Sequence, residues 1–182
     1  LFSSHPGKYI AYLPSFAYLH SLLPLLEQAR PALPLLVQRP RMDETERESF
    51  LSAFTADDAP VLGLCVLGGV FAEGVDLPGT ALIGAAVLGV GLPQVNPERE
   101  LYRTRMQDAF GDGFAYACQI PGMHRVLQAA GRLIRSETDR GVLLLMDDRY
   151  AARRVSGLMP AHLRPRRVYS GEEISSLARA FW

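Results

Sequence analysis

The chain has 182 residues, of which 48% are hydrophobic and 21% charged, so it is long enough to bury one substantial core. Its 19 basic and 19 acidic side chains leave no formal net charge. No apolar run approaches the ~18 residues that a membrane span requires, and the first residues lack the basic and apolar regions of a signal peptide. We therefore expect no membrane association. Because the sequence begins with Leu1 rather than Met, we also expect a fragment of a longer protein.

The charges are unevenly distributed. Residues 1–95 carry five basic and nine acidic side chains, whereas residues 96–182 carry fourteen and ten, so that formal charges of −4 and +4 cancel. Six arginines and no acidic residue lie between Arg149 and Arg167. This segment is either a patch that faces a polyanion or a solvated stretch of an arginine-rich sequence.

Five short apolar runs alternate with helical patterns, which predicts βα units and a mainly parallel sheet. The runs are continuously apolar, as expected where helices cover both faces of a sheet. We find no repeat or linker and expect a single domain over residues 1–182. The predicted strands are Tyr9–Leu13, Leu35–Val37, Val61–Val66, Leu82–Val90 and Val142–Met146.

Capping residues mark where the helices begin. Ser15 and Asn96 are N-cap residues, and Asp43 with Glu46 has the spacing of a capping box. Pro24 should kink or interrupt the first helix. The predicted helices are Phe16–Ala29, one that begins at Asp43, one from Pro97 to about Phe110, one that Pro121 opens, and Glu172–Ala180.

One segment near residue 130 brings together positive charges that need an anionic partner. On a helix, Gln128, Arg132 and Arg135 fall within an arc of about 60°. Two adjacent arginines repel each other, and a nucleoside triphosphate would suit them because guanidinium forks match phosphate oxygens. Gly131 lies on the same stripe and would let a ligand approach the backbone closely.

This segment resembles motif VI of superfamily 2 helicases, and its continuation to Tyr150 resembles the XPD/DinG family. Residues 69–79 resemble that family's motif V, and residues 7–16 its motif IV. The three motifs stand in order, with matching spacers, over residues 6–163. The resemblance implies a RecA-like α/β fold, with a parallel sheet flanked by helices on both faces, and a C-terminal motor domain of an ATP-dependent DNA helicase.

The resemblance also implies roles for the motif VI residues. Arg132 and Arg135 would reach the γ-phosphate and stabilise charge on the transferred phosphoryl group. Gln128 would orient the attacking water or contact the γ-phosphate. The alternative is a surface helix whose arginines pair with Glu137 or Asp139.

Motif V and Gly131 would together line the nucleotide-binding site. Gly74 lets the chain pass close to a phosphate. Asp76 would accept a hydrogen bond from a ribose hydroxyl or a motif VI arginine. Glu73 would order the loop or couple nucleotide state to DNA. A capped loop whose acids bond backbone N–H groups is the alternative.

Four residues are candidates for contact with DNA. Ser15 would bond a phosphate, and Phe16 would pack or stack. Arg99 and Arg103 share a helix face and would border the DNA. A helix cap with a core phenylalanine, and salt bridges to neighbouring glutamates, explain these four equally well.

A turn of Asp147, Asp148 and Arg149 follows the last predicted strand. Arg149 would either contact DNA or pair with Asp147 and brace the motif VI region. The sequence favours bracing.

Two expected features of a complete motor are missing from the sequence. It contains no phosphate-binding Gly-x-x-x-x-Gly-Lys-Ser/Thr loop and no magnesium box, so an absent N-terminal motor lobe would hold most of ATP and Mg²⁺. By resemblance, any 4Fe-4S cluster would also lie in that lobe. Cys65 and Cys118 lack metal-ligand spacing and are expected to be buried free thiols, with no metal in this chain. Such thiols suit a reducing compartment, and we expect a cytoplasmic, nucleoid-associated protein of bacterial type.

By resemblance, the parent enzyme would move 5′ to 3′ on single-stranded DNA and unwind duplexes in repair or replication. Its partners would be single-stranded DNA and the N-terminal lobe, with a monomer favoured and the isolated chain inactive. Two alternatives remain. One is a non-catalytic nucleic-acid-binding module that kept the fold. The other is an unrelated nucleotide-binding enzyme, which would need a phosphate-binding loop that the sequence does not contain.

Overall fold

The computed structural model describes residues 1–55, 59–73, 82–134 and 139–182. Within these residues, five parallel strands form one sheet in the order β2-β3-β1-β4-β5. The strands are β1 (Lys8–Leu13), β2 (Leu35–Val37), β3 (Val61–Val66), β4 (Gly84–Leu88) and β5 (Val142–Met146). The α-helices are α1 (Phe16–Ala29), α2 (Glu44–Thr55), α3 (Val70–Glu73), α4 (Pro97–Phe110), α5 (Ile120–Ala130), α6 (Arg153–Ser156) and α7 (Gly171–Phe181).

The central strand β1 separates two apolar layers, because its side chains alternate between the faces of the sheet. Ile10 and Tyr12 belong to the larger core, which α2, α3 and α5 cover. Ala11 and Leu13 belong to a smaller core under α1. The predicted α/β fold with helices on both faces of a parallel sheet is confirmed.

The strand predictions are confirmed, and β4 is the one that the structure shortens. It ends at Leu88 rather than Val90 because Gly89 adopts a φ of 85°, which turns the chain out of the sheet. This turn directs residues 89–93 towards α5.

The predicted starts of α1, α2 and α4 are also confirmed. The Asp43 Oδ1 accepts from the Glu46 N–H at 2.8 Å, and Glu46 Oε2 accepts from the Asp43 N–H at 3.0 Å, which completes a capping box. The expected interruption at Pro24 is wrong, since α1 continues to Ala29. The His20 carbonyl that Pro24 leaves without a helix donor lies on the exposed side, where water can bond it.

The helix that Pro121 was expected to open begins earlier. A π-helical turn, Ala115–Gln119, leads directly into α5, and Pro121 lies in the first turn of α5. Across the described residues, no helix is both long enough and apolar enough to cross a bilayer.

Candidate nucleotide and nucleic-acid sites

The strands of a parallel sheet all end at the same side, which we call the carboxyl edge (Leu13, Val66, Leu88 and Met146). The opposite side, where they begin, is the amino edge (Lys8, Val61, Gly84 and Val142). An α-helix of 11 residues and a strand of 5 residues are both about 16 Å long. The helix α5 therefore matches the width of the sheet on which it packs.

The start of α5 lies against the carboxyl edge. Gly91 has a φ of 67°, and a Cβ atom there would lie 2.4 Å from the carbonyl oxygen of Gly122. A Cβ atom on Gly122 would lie 2.6 Å from the Val90 carbonyl oxygen. Only a pair of glycines lets the chain that leaves β4 pass this close to the first turn of α5.

The end of α5 lies against the amino edge. A Cβ atom on Gly141, the residue before β5, would lie 2.6 Å from Cδ1 of Leu133. Leu133 is buried in the larger core. The helix therefore crosses from one edge to the other, and the predicted functional residues divide between the two.

The described motif VI residues, Gln128, Gly131 and Arg132, lie at the amino edge, but not all on a helix. Gln128 is exposed on α5, which ends at Ala130. Tighter turns follow, in which the Arg132 N–H bonds Ala129 O at 3.3 Å and the Leu133 N–H bonds Ala130 O at 3.0 Å. Arg132, half exposed, thus belongs to a turn after the helix, and the prediction that it shares a helix with Gln128 is wrong.

Gly131 is the C-cap of α5 and therefore does not occupy a helix interior. The early end of α5 has a structural cause. The contact between Leu133 and Gly141 ends the helical path early, and periodicity along the sequence does not reveal it.

Three predicted site residues, Gly74, Asp76 and Arg135, lie outside the described residues. Glu73 is the last residue of α3. This short helix packs beside α5, so the described start of motif V lies next to the motif VI helix.

Gln38 and Arg125, which sequence reasoning missed, lie against the turn between β3 and α3. Gln38 is buried, and its Oε1 accepts from the Val66 N–H at 2.7 Å. Gly68 has a φ of 77°, and a Cβ atom there would lie 3.1 Å from Nε of Arg125. A polar residue directly after the apolar strand β2 was the available signal for Gln38. No local pattern points to Arg125.

Ser15 and Phe16 lie at the carboxyl edge, after β1. The Ser15 Oγ accepts from the Tyr18 N–H at 3.1 Å, which makes Ser15 the N-cap of α1. Phe16 is half buried. The helix-cap interpretation of this pair is therefore present in the structure.

Arg99 has a structural partner. Pro121 lacks the N–H that an α-helix would direct at the Ala117 carbonyl, and Arg99 Nη1 donates to that carbonyl at 2.7 Å instead. This bond joins α4 to the π-helical turn. Arg103 is more exposed and pairs with Glu100, with its Nε and Nη2 at 2.9 and 2.7 Å from Oε2.

The turn after β5 contains the predicted pair of Arg149 with Asp147, but this pair lies at the carboxyl edge rather than beside the motif VI residues at the amino edge. Arg149 donates from Nε and Nη2 to the two oxygens of Asp147, at 2.8 and 2.7 Å. Hydrogen bonds from the Arg149 side chain hold the pKa of Asp147 below its usual range. The Tyr150 hydroxyl donates to the Gly89 carbonyl at 2.6 Å, which links this turn to the one after β4. Burial raises the pKa of Tyr150.

Acidic residues offset part of the basic segment between Arg149 and Arg167. Besides the Asp147 pair, Arg154 lies 3.4 Å from Asp112, and Arg166 lies 3.9 Å from Glu173. The segment is therefore less basic in the folded chain than its sequence suggests.

The cysteines are buried free thiols, as predicted. Burial raises the pKa of Cys65, which disfavours the thiolate that a metal requires. Among the described residues, no three His, Cys, Asp or Glu side chains come together as a metal site. The donor set in this part of the chain does not fit an iron–sulfur cluster.

A five-stranded parallel sheet with helices on both faces is the architecture of the RecA-like class of helicase lobes. The family model for the helicase C-terminal domain matches residues 1–166. The chain therefore belongs to the helicase C-terminal domain family. The resemblance to XPD and DinG is confirmed.

Three of the relatives, all named as helicases, illustrate the similarity. The chain is 34% identical over 146 residues to the ATP-dependent DNA helicase YoaA of Escherichia coli, covering 78% of this chain and 22% of YoaA. It is 31% identical to the ATP-dependent helicase DinG of Mycobacterium tuberculosis, covering 75% of this chain and 20% of DinG. It is 28% identical to the XPD subunit of general transcription and DNA repair factor IIH of Schizosaccharomyces pombe, covering 80% and 20%. The chain thus spans about a fifth of the length of these relatives.

Solved structures show the same fold. An XPD helicase superposes with a TM-score of 0.65 at 19% identity, over 86% of this chain and 28% of that one. The C-terminal domain of the DEAD-box protein Dbp5 superposes with a TM-score of 0.59 at 14% identity, over 96% and 83%.

Proposed function

We propose that this chain is the C-terminal motor domain of an XPD/DinG-like ATP-dependent DNA helicase. The observation that carries the proposal is the family match together with the division of candidate residues between the two edges. A motor must hold nucleotide and DNA at separate places and couple them. The helix α5, which touches both edges, is suited to that coupling.

The amino edge supplies the groups for nucleotide chemistry. Arg132, with Arg135, stabilises negative charge on the transferred phosphoryl group, and Gln128 orients the attacking water. Arginines in this role raise phosphoryl-transfer rates by about 10³–10⁵. The half-exposed position of Arg132, after the helix end, lets its guanidinium reach a nucleotide held by another lobe.

Motif V also belongs to the nucleotide side of the proposal, although it begins after β3, at the carboxyl edge. Gly74 and Gly131 admit phosphate oxygens, Asp76 accepts from a ribose hydroxyl, and Glu73 couples this loop to DNA. The N-terminal motor lobe of the same protein holds most of ATP and its Mg²⁺. Any 4Fe-4S cluster belongs to that lobe, since the donors described in this chain do not fit one.

The carboxyl edge faces single-stranded DNA. Ser15 and Phe16 contact the strand beside α1, and Arg103 exchanges Glu100 for a phosphate. Arg99 lies beside the same DNA strand, and its bond to the Ala117 carbonyl holds it in place. The parent protein then moves 5′ to 3′ as a monomer and serves repair or replication of DNA in the bacterial cytoplasm.

The test is ATP turnover by the parent protein with and without single-stranded DNA, in wild type and Arg132→Ala. We expect turnover that DNA stimulates and that the variant loses by at least about 10³-fold, with DNA affinity within twofold. Arg30→Ala is the matched control, because this exposed arginine follows α1 on the other face of the sheet. DNA binding without turnover in the wild type would instead identify a binding module that kept the motor fold.

A further inference from the structure

The C-terminal helix α7 lies beyond the part of the chain that the family model matches. The match ends at residue 166, and α7 begins at Gly171. Its N-cap Ser170 accepts from the Glu173 N–H at 3.1 Å, and Ala178 is buried. The segment is therefore a regular helix that is docked on the domain.

Most of α7 does not pack tightly on the domain. An open-sided cavity of about 870 Å³ separates Ile174 and Leu177 of α7 from Leu143 of β5 and Leu133 after α5. Walls that such a cavity separates make no direct van der Waals contacts with each other. Direct contacts at the C-terminal end of α7 therefore help to fix this helix against the domain.

Four residues make those contacts, and we call them the terminal latch: His5, Arg140, Phe181 and Trp182. Arg140 Nη2 donates to the Phe181 carbonyl at 2.7 Å, and its guanidinium carbon lies 4.9 Å from the Phe181 ring centroid. The Trp182 ring stacks on His5 with centroids 4.5 Å apart and planes 12° apart. Phe181 and Trp182 meet edge to face at 5.0 Å.

The terminal latch connects to the motif VI turn through two short steps. Arg140 is followed by Gly141, against which Leu133 packs so closely that a Cβ atom on Gly141 would clash with it. Leu133 is adjacent to Arg132 and buried at 5% exposure. A shift of Arg140 therefore moves the surface on which the Arg132 turn rests.

We propose that the terminal latch positions Arg132 for phosphoryl transfer, with Arg140, Phe181 and Trp182 as positioning residues. This proposal rests on the proposed function. The latch touches no substrate, and it acts by holding the Gly141 side of the Leu133 contact. Misplacing a catalytic group by about 1 Å can cost about 100-fold in rate, so a loosened latch has a measurable effect.

The experiment compares Phe181→Leu with Phe181→Trp in the parent protein. Leucine keeps an apolar side chain and the backbone carbonyl but removes the π face over which Arg140 lies, whereas tryptophan keeps that face. We expect Phe181→Leu to lower kcat about tenfold, with the KM for ATP and the Kd for single-stranded DNA within twofold. Phe181→Trp should retain at least about half of the wild-type kcat.

A double variant separates positioning from general destabilisation. If the latch acts through Arg132, Arg132→Ala with Phe181→Leu is as slow as Arg132→Ala alone. Independent losses that multiply would overturn the proposal, as would an unchanged kcat in Phe181→Leu.

Hydrogen exchange at residues 131–134 gives a readout that does not depend on turnover. We expect faster exchange in Phe181→Leu than in Phe181→Trp. One outcome would reject the latch alone. In it, the wild type hydrolyses ATP and Arg132→Ala loses turnover, but Phe181→Leu changes neither the exchange nor kcat. A wild type without turnover would reject both the proposed function and the catalytic role of the latch.

Discussion

The two edges of the sheet use their polar side chains differently. At the carboxyl edge, Arg149 is paired with Asp147, Tyr150 with the Gly89 carbonyl, and Arg99 with the Ala117 carbonyl. At the amino edge, Gln128 is exposed and Arg132 half exposed. The paired groups brace the carboxyl edge, whereas the described candidate residues of the amino edge lie at the end of α5 and on the turn after it.

This contrast matters for how a motor works. A braced surface can bind and release a strand without losing its own shape. Groups on a turn, by contrast, reach a nucleotide only when the partner lobe closes on them. The helix α5 is the structural link, so variants at its ends test the comparison most strongly.

The largest expected effect on stability is at the start of α5, where this helix meets the carboxyl edge. Gly91→Ala adds a Cβ atom 2.4 Å from the Gly122 carbonyl oxygen at a residue with a φ of 67°. We expect a loss of about 3 kcal/mol or more in the free energy of unfolding, measured by urea denaturation.

The matched control is Gly111→Ala. Gly111 has a φ of 74°, but a Cβ atom there would meet nothing within 4 Å. It should cost only about 1 kcal/mol, the penalty of the left-handed backbone itself. Equal losses in the two variants would show that the contact between Gly91 and Gly122 does not hold α5 in place.

A second prediction concerns DNA affinity at the carboxyl edge. Arg103→Ala should weaken single-stranded DNA binding several-fold and reduce the slope of log Kd against log salt by about 0.7, since one phosphate contact is lost. Glu100→Gln removes the acid that competes for Arg103 and should strengthen binding. Fluorescence anisotropy at several salt concentrations measures both, and shifts of the same sign would contradict a phosphate contact by Arg103.

A third prediction is the pH dependence of the brace. Because its partner lowers the pKa of Asp147 in the folded state, the pair stabilises the domain above the unfolded pKa of about 4. This contribution is lost as the pH falls through the folded pKa. Asp147→Asn should therefore cost about 1 kcal/mol at pH 7 and progressively less below pH about 4.

Asp148→Asn is the control for the brace, because this neighbouring carboxylate is exposed and lies outside the Arg149 fork. Thermal unfolding from pH 3 to pH 7 provides the measurement. A cost for Asp147→Asn that stays constant over this range would contradict the assigned ion pair.

The smallest expected effect is at the terminal latch. Among the described residues, the buried indole N–H of Trp182 has no hydrogen-bond acceptor. Trp182→Phe removes this N–H and keeps an aromatic ring against His5, so the melting temperature should stay within about 2 °C of wild type. Trp182→Ala removes the ring as well and should lower the melting temperature by several degrees. Equal melting temperatures in the two variants would show that stacking on His5 contributes nothing.

Much of the fold follows from local sequence signals. The strands β2, β3 and β5 have the predicted bounds because continuous apolar runs end at turn residues. The helices α1 and α4 also have the predicted bounds, because Ser15 and Asn96 cap them. These signals lie within a few residues of the feature that they predict.

The remaining features depend on contacts between distant parts of the chain. The end of α5 is set by Leu133 against Gly141, and the π-helical turn is supported by Arg99 at the Ala117 carbonyl. Periodicity predicted a helix through Arg135 because it cannot register such contacts. For the same reason the motifs named the candidate residues but not the edge at which each lies.

The most direct test of the account is one experiment with two readouts in the parent protein. DNA-stimulated ATP turnover and single-stranded DNA affinity are measured in wild type, Arg132→Ala and Arg103→Ala. We predict that Arg132→Ala loses turnover by about 10³-fold with unchanged affinity. Arg103→Ala should lose affinity but retain turnover at saturating DNA. An Arg132→Ala variant that turns over ATP like the wild type, or that mainly loses DNA affinity, would contradict the assignment of nucleotide chemistry to the amino edge.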